Sequence, residues 1–185
     1  MKLFILYGPP GVGKFTIGRK LAAKTDYKLL HNHLTIEPLR KIFPFASKPF
    51  IKLNRQWRLN VIETCAQNNI NLIFTFVYAH PIDLPYIKKI QRAVKKHGGT
   101  VEFFALNCPR HILLRRITSA IRKKQGKITS PQEMKEIFGR YDLFSPIPGV
   151  PSMRLNTGQL TAAQAAQKIM AVQKTITHGN AHRSE

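Results

Sequence analysis

Acidic residues are scarce in this chain. Nine Asp and Glu stand against thirty Lys and Arg among 185 residues, a formal net charge of +21. So few carboxylates leave a short set of candidates for a metal shell or an acid–base pair. The cationic excess raises the local concentration of anions, whether nucleotides, phosphorylated metabolites or nucleic acid. The basic residues are spread along the chain and not gathered in a tail. That distribution favours a solvated, anion-attracting surface over a dedicated polyanion interface, with nucleic acid kept as the alternative partner.

Cysteine is almost absent. Cys65 and Cys108 are the only two, in no metal-binding spacing, which excludes a disulfide framework and fits the reduced thiols of a cytoplasmic protein. No apolar run approaches the roughly 18 residues of a membrane span. The opening MKLFILYGPP is too short an apolar stretch for a secretory leader. The expectation is a cytoplasmic protein with no membrane partner. Internal repeats and low-complexity segments are also missing.

Hydrophobic residues make up 43% of the chain, enough for one well-buried core. Residues 1–185 are therefore expected to form a single domain. Short apolar runs predict strands at 2–7, 27–30, 71–78, 100–106 and 152–156. Helical patterns cover 14–25, 51–68, 86–97, 109–121, 131–143 and 161–175, with a loop and a short helix in 31–50. His97-Gly98-Gly99 supplies a helix C-cap, and Ser130-Pro131 a helix start. Strands alternating with helices predict an α/β fold with a parallel sheet covered on both faces.

The first strand runs into Gly8-Pro9-Pro10-Gly11-Val12-Gly13-Lys14-Phe15-Thr16. This is G-x-x-x-x-G-K between a strand and a helix, the context a P-loop requires. Backbone N–H groups of such a loop cradle phosphates, with Pro9 and Val12 lying between its glycines. Gly8, Gly11 and Gly13 let the backbone curl closely, and Lys14 neutralises the β- and γ-phosphate oxygens. The residue after the lysine ordinarily carries the hydroxyl that holds Mg²⁺. Here it is Phe15, and Thr16 follows.

GPPGVGKFT resembles the GPPGAGKGT of adenylate-kinase-like enzymes, which also place threonine second after the lysine. From residue 1 to about 175 the chain is similar to the shikimate-kinase and nucleoside-monophosphate-kinase group of P-loop kinases. The loop carries the resemblance specifically; elsewhere it rests on order and spacing. It implies a three-layer α/β/α P-loop NTPase fold with a five-stranded parallel sheet, a small acceptor-binding region at about 31–68 and a lid at about 119–130. It implies ATP and Mg²⁺ as cofactors, Thr16 contacting phosphate and reaching the metal largely through water. It places a small, anionic acceptor against His31-Asn32-His33, Arg55, Arg58, Tyr78 at the end of strand three, and Arg140 beyond the lid. Arg115, Arg116 and Arg122 would close over the transferring phosphate, and Asn156-Thr157 would lie beside the adenine.

Two departures from the group matter. No acid follows strand three, so Asp83 is the nearest carboxylate. The aspartates that shikimate kinases carry after strand two are replaced by His31 and His33, which argues against shikimate as acceptor. Either imidazole can act as general base near neutral pH. As alternating residues after a strand they are expected to point to opposite sides, at most one of them toward the acceptor. Glu37 is a further candidate acid. The run 110–127 holds seven Lys and Arg and no acid, suiting a lid, a solvated helix face or a nucleic-acid patch. Three functional readings stay open: a small-molecule kinase that transfers the ATP γ-phosphoryl group to a hydroxyl or phosphate of its acceptor, a nucleotide or polynucleotide kinase, and a non-catalytic ATP-binding module.

Overall fold

A computed structural model describes residues 1–119 and 127–181. Five strands form one sheet: β1 (Lys2–Tyr7), β2 (Lys28–Leu30), β3 (Leu72–Phe76), β4 (Thr100–Asn107) and β5 (Ser152–Asn156). Their order is β2-β3-β1-β4-β5, and every pairing is parallel. The connecting helices are α1 (Lys14–Ala22), α2 (His33–Arg40), α3 (Lys48–Gln67), α4 (Leu84–Lys96), α5 (Arg110–Ile117), α6 (Pro131–Arg140) and α7 (Ala162–Ala181). No helix among the described residues is long and apolar enough to cross a membrane.

The period of two along β1 divides the core into two layers. Leu3, Ile5 and Tyr7 pack with Ile62 of α3 and with Ile87, Ile90 and Val94 of α4. Phe4 and Leu6 pack on the opposite face with Ile17 and Leu21 of α1 and Ala165 and Ile169 of α7. A central strand buried on both faces must be apolar throughout, and β1 is buried from Leu3 to Tyr7. The expected three-layer α/β/α sandwich is thus the observed one.

Elements differ from expectation mainly at their ends. α3 starts at Lys48, not residue 51, because Ser47 accepts from the Phe50 amide as N-cap. The helix expected to reach about Ile121 stops at Ile117, where Thr118 Oγ1 donates to the Arg115 carbonyl at 2.9 Å. The α4 end is as expected: Gly98, at φ 69°, follows the cap, and the Gly99 amide donates to Val94 O at 3.0 Å. Residues 120–126 of the expected lid, with Arg122, Lys123 and Lys124, lie outside the described residues.

The topology dictates where a ligand sits. β1 connects toward β2 on one side, while β3, its neighbour, sends its crossover to β4 on the other. The crevice outside the carboxyl ends of strands at such a switch point is where open α/β sheets bind ligands. The glycine loop, His31–His33, Tyr78 and Thr157 all follow directly on strand ends at that edge.

Candidate functional site

The loop after β1 needs its glycines. Gly8, Gly11 and Gly13 have φ of 141°, 85° and 100°, where side chains are strained. At Gly8 space forbids a side chain as well: a Cβ would stand 2.1 Å from the Leu106 carbonyl oxygen of β4. The chain then enters α1 with Gly13 as N-cap, no side-chain cap and no acid in the first turn. That leaves the helix's orphan amides and positive dipole end for an anion. Lys14 is buried, its Nζ donating to Gly8 O at 2.6 Å and Pro9 O at 2.8 Å. The ammonium is therefore held inside the curl where phosphates would lie.

Phe15 faces the start of α2. The His31 ring meets it edge-on at 4.8 Å between centroids, Lys127 Nζ lies 4.7 Å from the ring centre, and the Arg19 guanidinium lies 5.9 Å away. Burial lowers the proton affinity of His31, and His33 and Lys127 lower it further. The two imidazoles do not diverge as their alternation predicts. β2 ends at Leu30 and His33 opens α2, so helical geometry replaces strand alternation and the ring centroids stand 6.5 Å apart. His33 Nδ1 is paired with Glu37 Oε1 at 2.8 Å, one helical turn on.

Behind these rings lies a polar cluster. Arg58 is 5% exposed; its Nε donates to Thr35 Oγ1 at 2.8 Å and its Nη2 to Asn32 O at 3.1 Å. Thr35 donates in turn to Asn54 Oδ1 at 2.6 Å, and the Asn32 amide donates to Thr75 Oγ1 on β3 at 3.2 Å. Burial pushes the Arg58 guanidinium down to about 10, still charged at neutral pH. Asn32 Oδ1 is buried with no hydrogen-bond partner among the described residues, an orphan that a bound hydroxyl or amide would satisfy.

Arg55 and Asp83, expected as acceptor arginine and catalytic carboxylate, are brought onto each other. Arg55 Nη2 donates to Asp83 Oδ1, whose other oxygen accepts from the Ala79 amide at 2.9 Å. Tyr86 Oη donates to the Arg55 carbonyl at 3.0 Å, and burial pushes its phenol up to about 12. Tyr78 is buried, its Oη 3.0 Å from His80 Nδ1.

On the far side of the loop, Ile117 and Leu113 of α5 pack where a Cβ on Gly11 would reach. Arg116, expected over the transferring phosphate, turns to the end of β5. Its Nη1 and Nη2 donate to Thr157 Oγ1 at 3.2 Å and Thr157 O at 2.7 Å. Thr157 N donates to Asn107 O at 2.9 Å, and Asn156 Oδ1 accepts from Gly158 N at 2.9 Å. Arg115 is exposed. Arg140 is exposed at the end of α6, lining a shallow concavity with Arg110, Phe138 and Phe144.

The described residues do not build a metal shell. Phe15 brings no donor, and Thr16 offers an exposed hydroxyl. β3 ends in Thr75 and Phe76, and the carboxylates of Asp83 and Glu37 are engaged by Arg55 and His33. Among the described residues no group of three His, Cys, Asp or Glu is placed to hold a metal ion.

Comparison with solved structures finds the same fold in several kinases. The chain superposes on an APS kinase of Mycobacterium tuberculosis in complex with AMPPNP and APS, with a TM-score of 0.67 and 15% identity over 94% of this chain and 97% of that one. The fold is that of the P-loop kinases. A gluconokinase of Sinorhizobium meliloti shares this kinase fold at TM-score 0.65 and 14% identity, covering 100% of this chain and 97% of the other. A shikimate kinase of Acinetobacter baumannii in complex with shikimate matches at 0.58 and 20%, over 94% and 93%. No family model and no curated protein matches the chain in sequence.

Several members of this kinase-fold site escape sequence reasoning. Thr35 and Asn54 are ordinary residues whose importance comes from enclosing Arg58; the Asn54–Arg58 spacing of four puts both on one face of α3, where each meets Thr35 Oγ1. Lys127 sits in the basic run, and nothing in the run singles it out.

Proposed function

We propose that this chain is an ATP-dependent kinase that transfers the γ-phosphoryl group to a hydroxyl of a small, anionic acceptor. One observation carries the reading: three left-handed glycines and the buried Lys14 form a phosphate cradle at the switch point of a parallel sheet. ATP fits the cradle, because the α1 amides and the Lys14 ammonium meet its β- and γ-oxygens. Asn156 and Thr157, with Arg116 holding the turn, flank the adenine side. Mg²⁺ enters with its nucleotide, as part of the substrate Mg-ATP.

The acceptor lies between α2, α3 and the end of β3. Arg58 is a buried cation whose hydrogen bonds go to neutral oxygens, and such a cation is stabilised by an anionic partner. A carboxylate or phosphate of the acceptor supplies it, while Asn32 Oδ1 receives one of its hydroxyls. His33, held by Glu37 through Nδ1, presents Nε2 to the reacting hydroxyl. A base oriented by a carboxylate in this manner is the arrangement general-base catalysis uses. The hydroxyl oxygen attacks the γ-phosphorus, its proton passes to His33 Nε2, and the bond to the bridging oxygen breaks to release ADP. Arg115, exposed at the end of α5, is a candidate to meet the transferring phosphoryl group.

Labelled ATP offered with a panel of small hydroxy acids, sugar phosphates and nucleosides tests this reading. Label is expected on an anionic hydroxyl compound, and His33→Ala should lower kcat about 10²–10⁴-fold, the ordinary worth of a general base. Transfer unaffected by His33→Ala, or confined to uncharged acceptors, would contradict it.

A further inference from the structure

The thirty Lys and Arg are spread along the sequence, yet α4 alone carries five of them and no acid. The helix buries Tyr86, Ile87, Ile90 and Val94 in the core beneath it and turns Lys88, Lys89, Arg92, Lys95 and Lys96 outward. Lys88, Arg92 and Lys95 fall at i, i+4 and i+7, on one side of the helix over roughly 10 Å of its axis. With Gln91 they line a shallow concavity of about 460 Å³, and Lys89 and Lys96 run along its edge. Arg92 Nε donates to the Lys88 carbonyl at 3.3 Å, which holds the guanidinium along the row. The two acids beside the ends of α4 are engaged, Asp83 by Arg55, and Glu63 by Lys96 at 3.4 Å and His97 at 3.5 Å. Among the described residues, Lys88, Lys89, Arg92 and Lys95 form no ion pair. Like charges one turn apart destabilise a helix, so the row costs the free chain stability that an anionic partner would restore.

We propose that this face of α4 is a docking surface for the phosphodiester backbone of nucleic acid, bound without regard to sequence. A straight row of cations at turn-length intervals suits a polyanion whose charges also repeat along a line. Lys88, Arg92 and Lys95 each meet a phosphate, and Gln91 between them offers a donor and an acceptor to phosphate or sugar. An anionic membrane does not fit, because a helix that lies on lipid needs an exposed apolar side and the apolar side of α4 is buried in the core. A second copy of this chain would set one +21 charge against another. The surface covers the sheet face that α3 and α4 share, whereas α1 and α7 pack on the opposite face. It is independent of the kinase reading, which rests on the glycine loop and Lys14.

Fluorescence anisotropy of the full chain with labelled duplex DNA, duplex RNA and single-stranded RNA, each of mixed sequence and over a salt series, reads this surface. Replacing Lys88, Arg92 and Lys95 together by Gln should reduce the slope of log K against log salt on a duplex by about three, near one for each lost phosphate contact. Lys95→Gln alone should reduce it by about one. Lys20, Lys24 and Lys168 are exposed on α1 and α7, across the sheet. Their joint replacement by Gln removes the same charge and should change the slope by less than about one. Binding confined to DNA or to RNA supports the proposal and names the source of the backbone. Equal slopes for the two triple variants would assign the binding to net charge and overturn it. So would failure to bind any of the three nucleic acids, or equal affinity for polyglutamate or for vesicles of phosphatidylserine and phosphatidylcholine.

Discussion

At the scale of single residues, His31 and Arg58 show how surroundings decide what a side chain does. His31 binds protons less readily in the folded chain than in the unfolded one. Its neutral form is the one the fold accommodates, so stability is lost as pH falls through the unfolded value near 6.5. Melting from pH 7.5 to 5.5 should therefore show a smaller loss for His31→Gln than for the unmodified chain; equal slopes would mean that the imidazole is as free to protonate in the fold as outside it. Arg58→Lys keeps the charge and breaks the fork that holds Thr35 and Asn32. The acceptor KM should rise at least about tenfold while the ATP KM stays level, the signature of a lost binding contact. A matching rise in the ATP KM would place Arg58 on the wrong substrate. The sequence singles out Lys14, His33 and Arg58 by motif, order and spacing; the fold adds their surroundings, Lys14 inside the glycine loop and Arg58 against Thr35 and Asn32. The Arg55–Asp83 pair was not legible, because 28 residues separate two groups that only the packing of α3 on the β3–α4 loop brings together. The convergence of His31 and His33 was missed for a local reason, since α2 begins one residue earlier than strand alternation requires.

At the scale of elements, the glycine loop and its strand are one structure. A methyl group at Gly8 would need both a left-handed φ and the space held by the Leu106 carbonyl. Gly8→Ala should cost about 1–3 kcal/mol through strain and overpacking, and should abolish nucleotide binding as the loop opens. Chemical denaturation together with ADP titration checks both halves. Nucleotide binding retained at full strength would show that the loop's shape is not what binds it. The start of α3 is simpler: Ser47→Ala removes one cap and should lower stability by about 1 kcal/mol with the acceptor chemistry intact. Element types were legible because their periods differ: β1, β3 and β4 read as apolar runs, and α4 as an amphipathic stripe. Their ends were not, since Ser47 and Thr118 set boundaries by side-chain hydrogen bonds that a hydrophobic pattern does not carry.

At the scale of the whole molecule, charge and topology act on different steps. The parallel sheet and its switch point fix where the glycine loop and Lys14 stand; the +21 charge acts at longer range, raising the concentration of anions around that edge. A small acceptor that meets one or two cations should lose affinity modestly with salt, whereas a nucleic acid neutralising many phosphates would lose it steeply, with a slope of about 0.9 per contact. Fold class was the most legible property of all, because a loop between strand and helix and alternating elements admit few topologies. The acceptor proposed here would be recognised by side chains from α2, α3 and the end of β3, and its identity is not written in any one of them. The most direct test is thermal unfolding of the chain and of Lys14→Ala, each with and without Mg-ATP. At about 100 times Kd, ATP should stabilise the unmodified chain by about 2.7 kcal/mol and leave the variant unchanged. Equal stabilisation of both proteins, or of neither, would contradict a phosphate cradle built around Lys14.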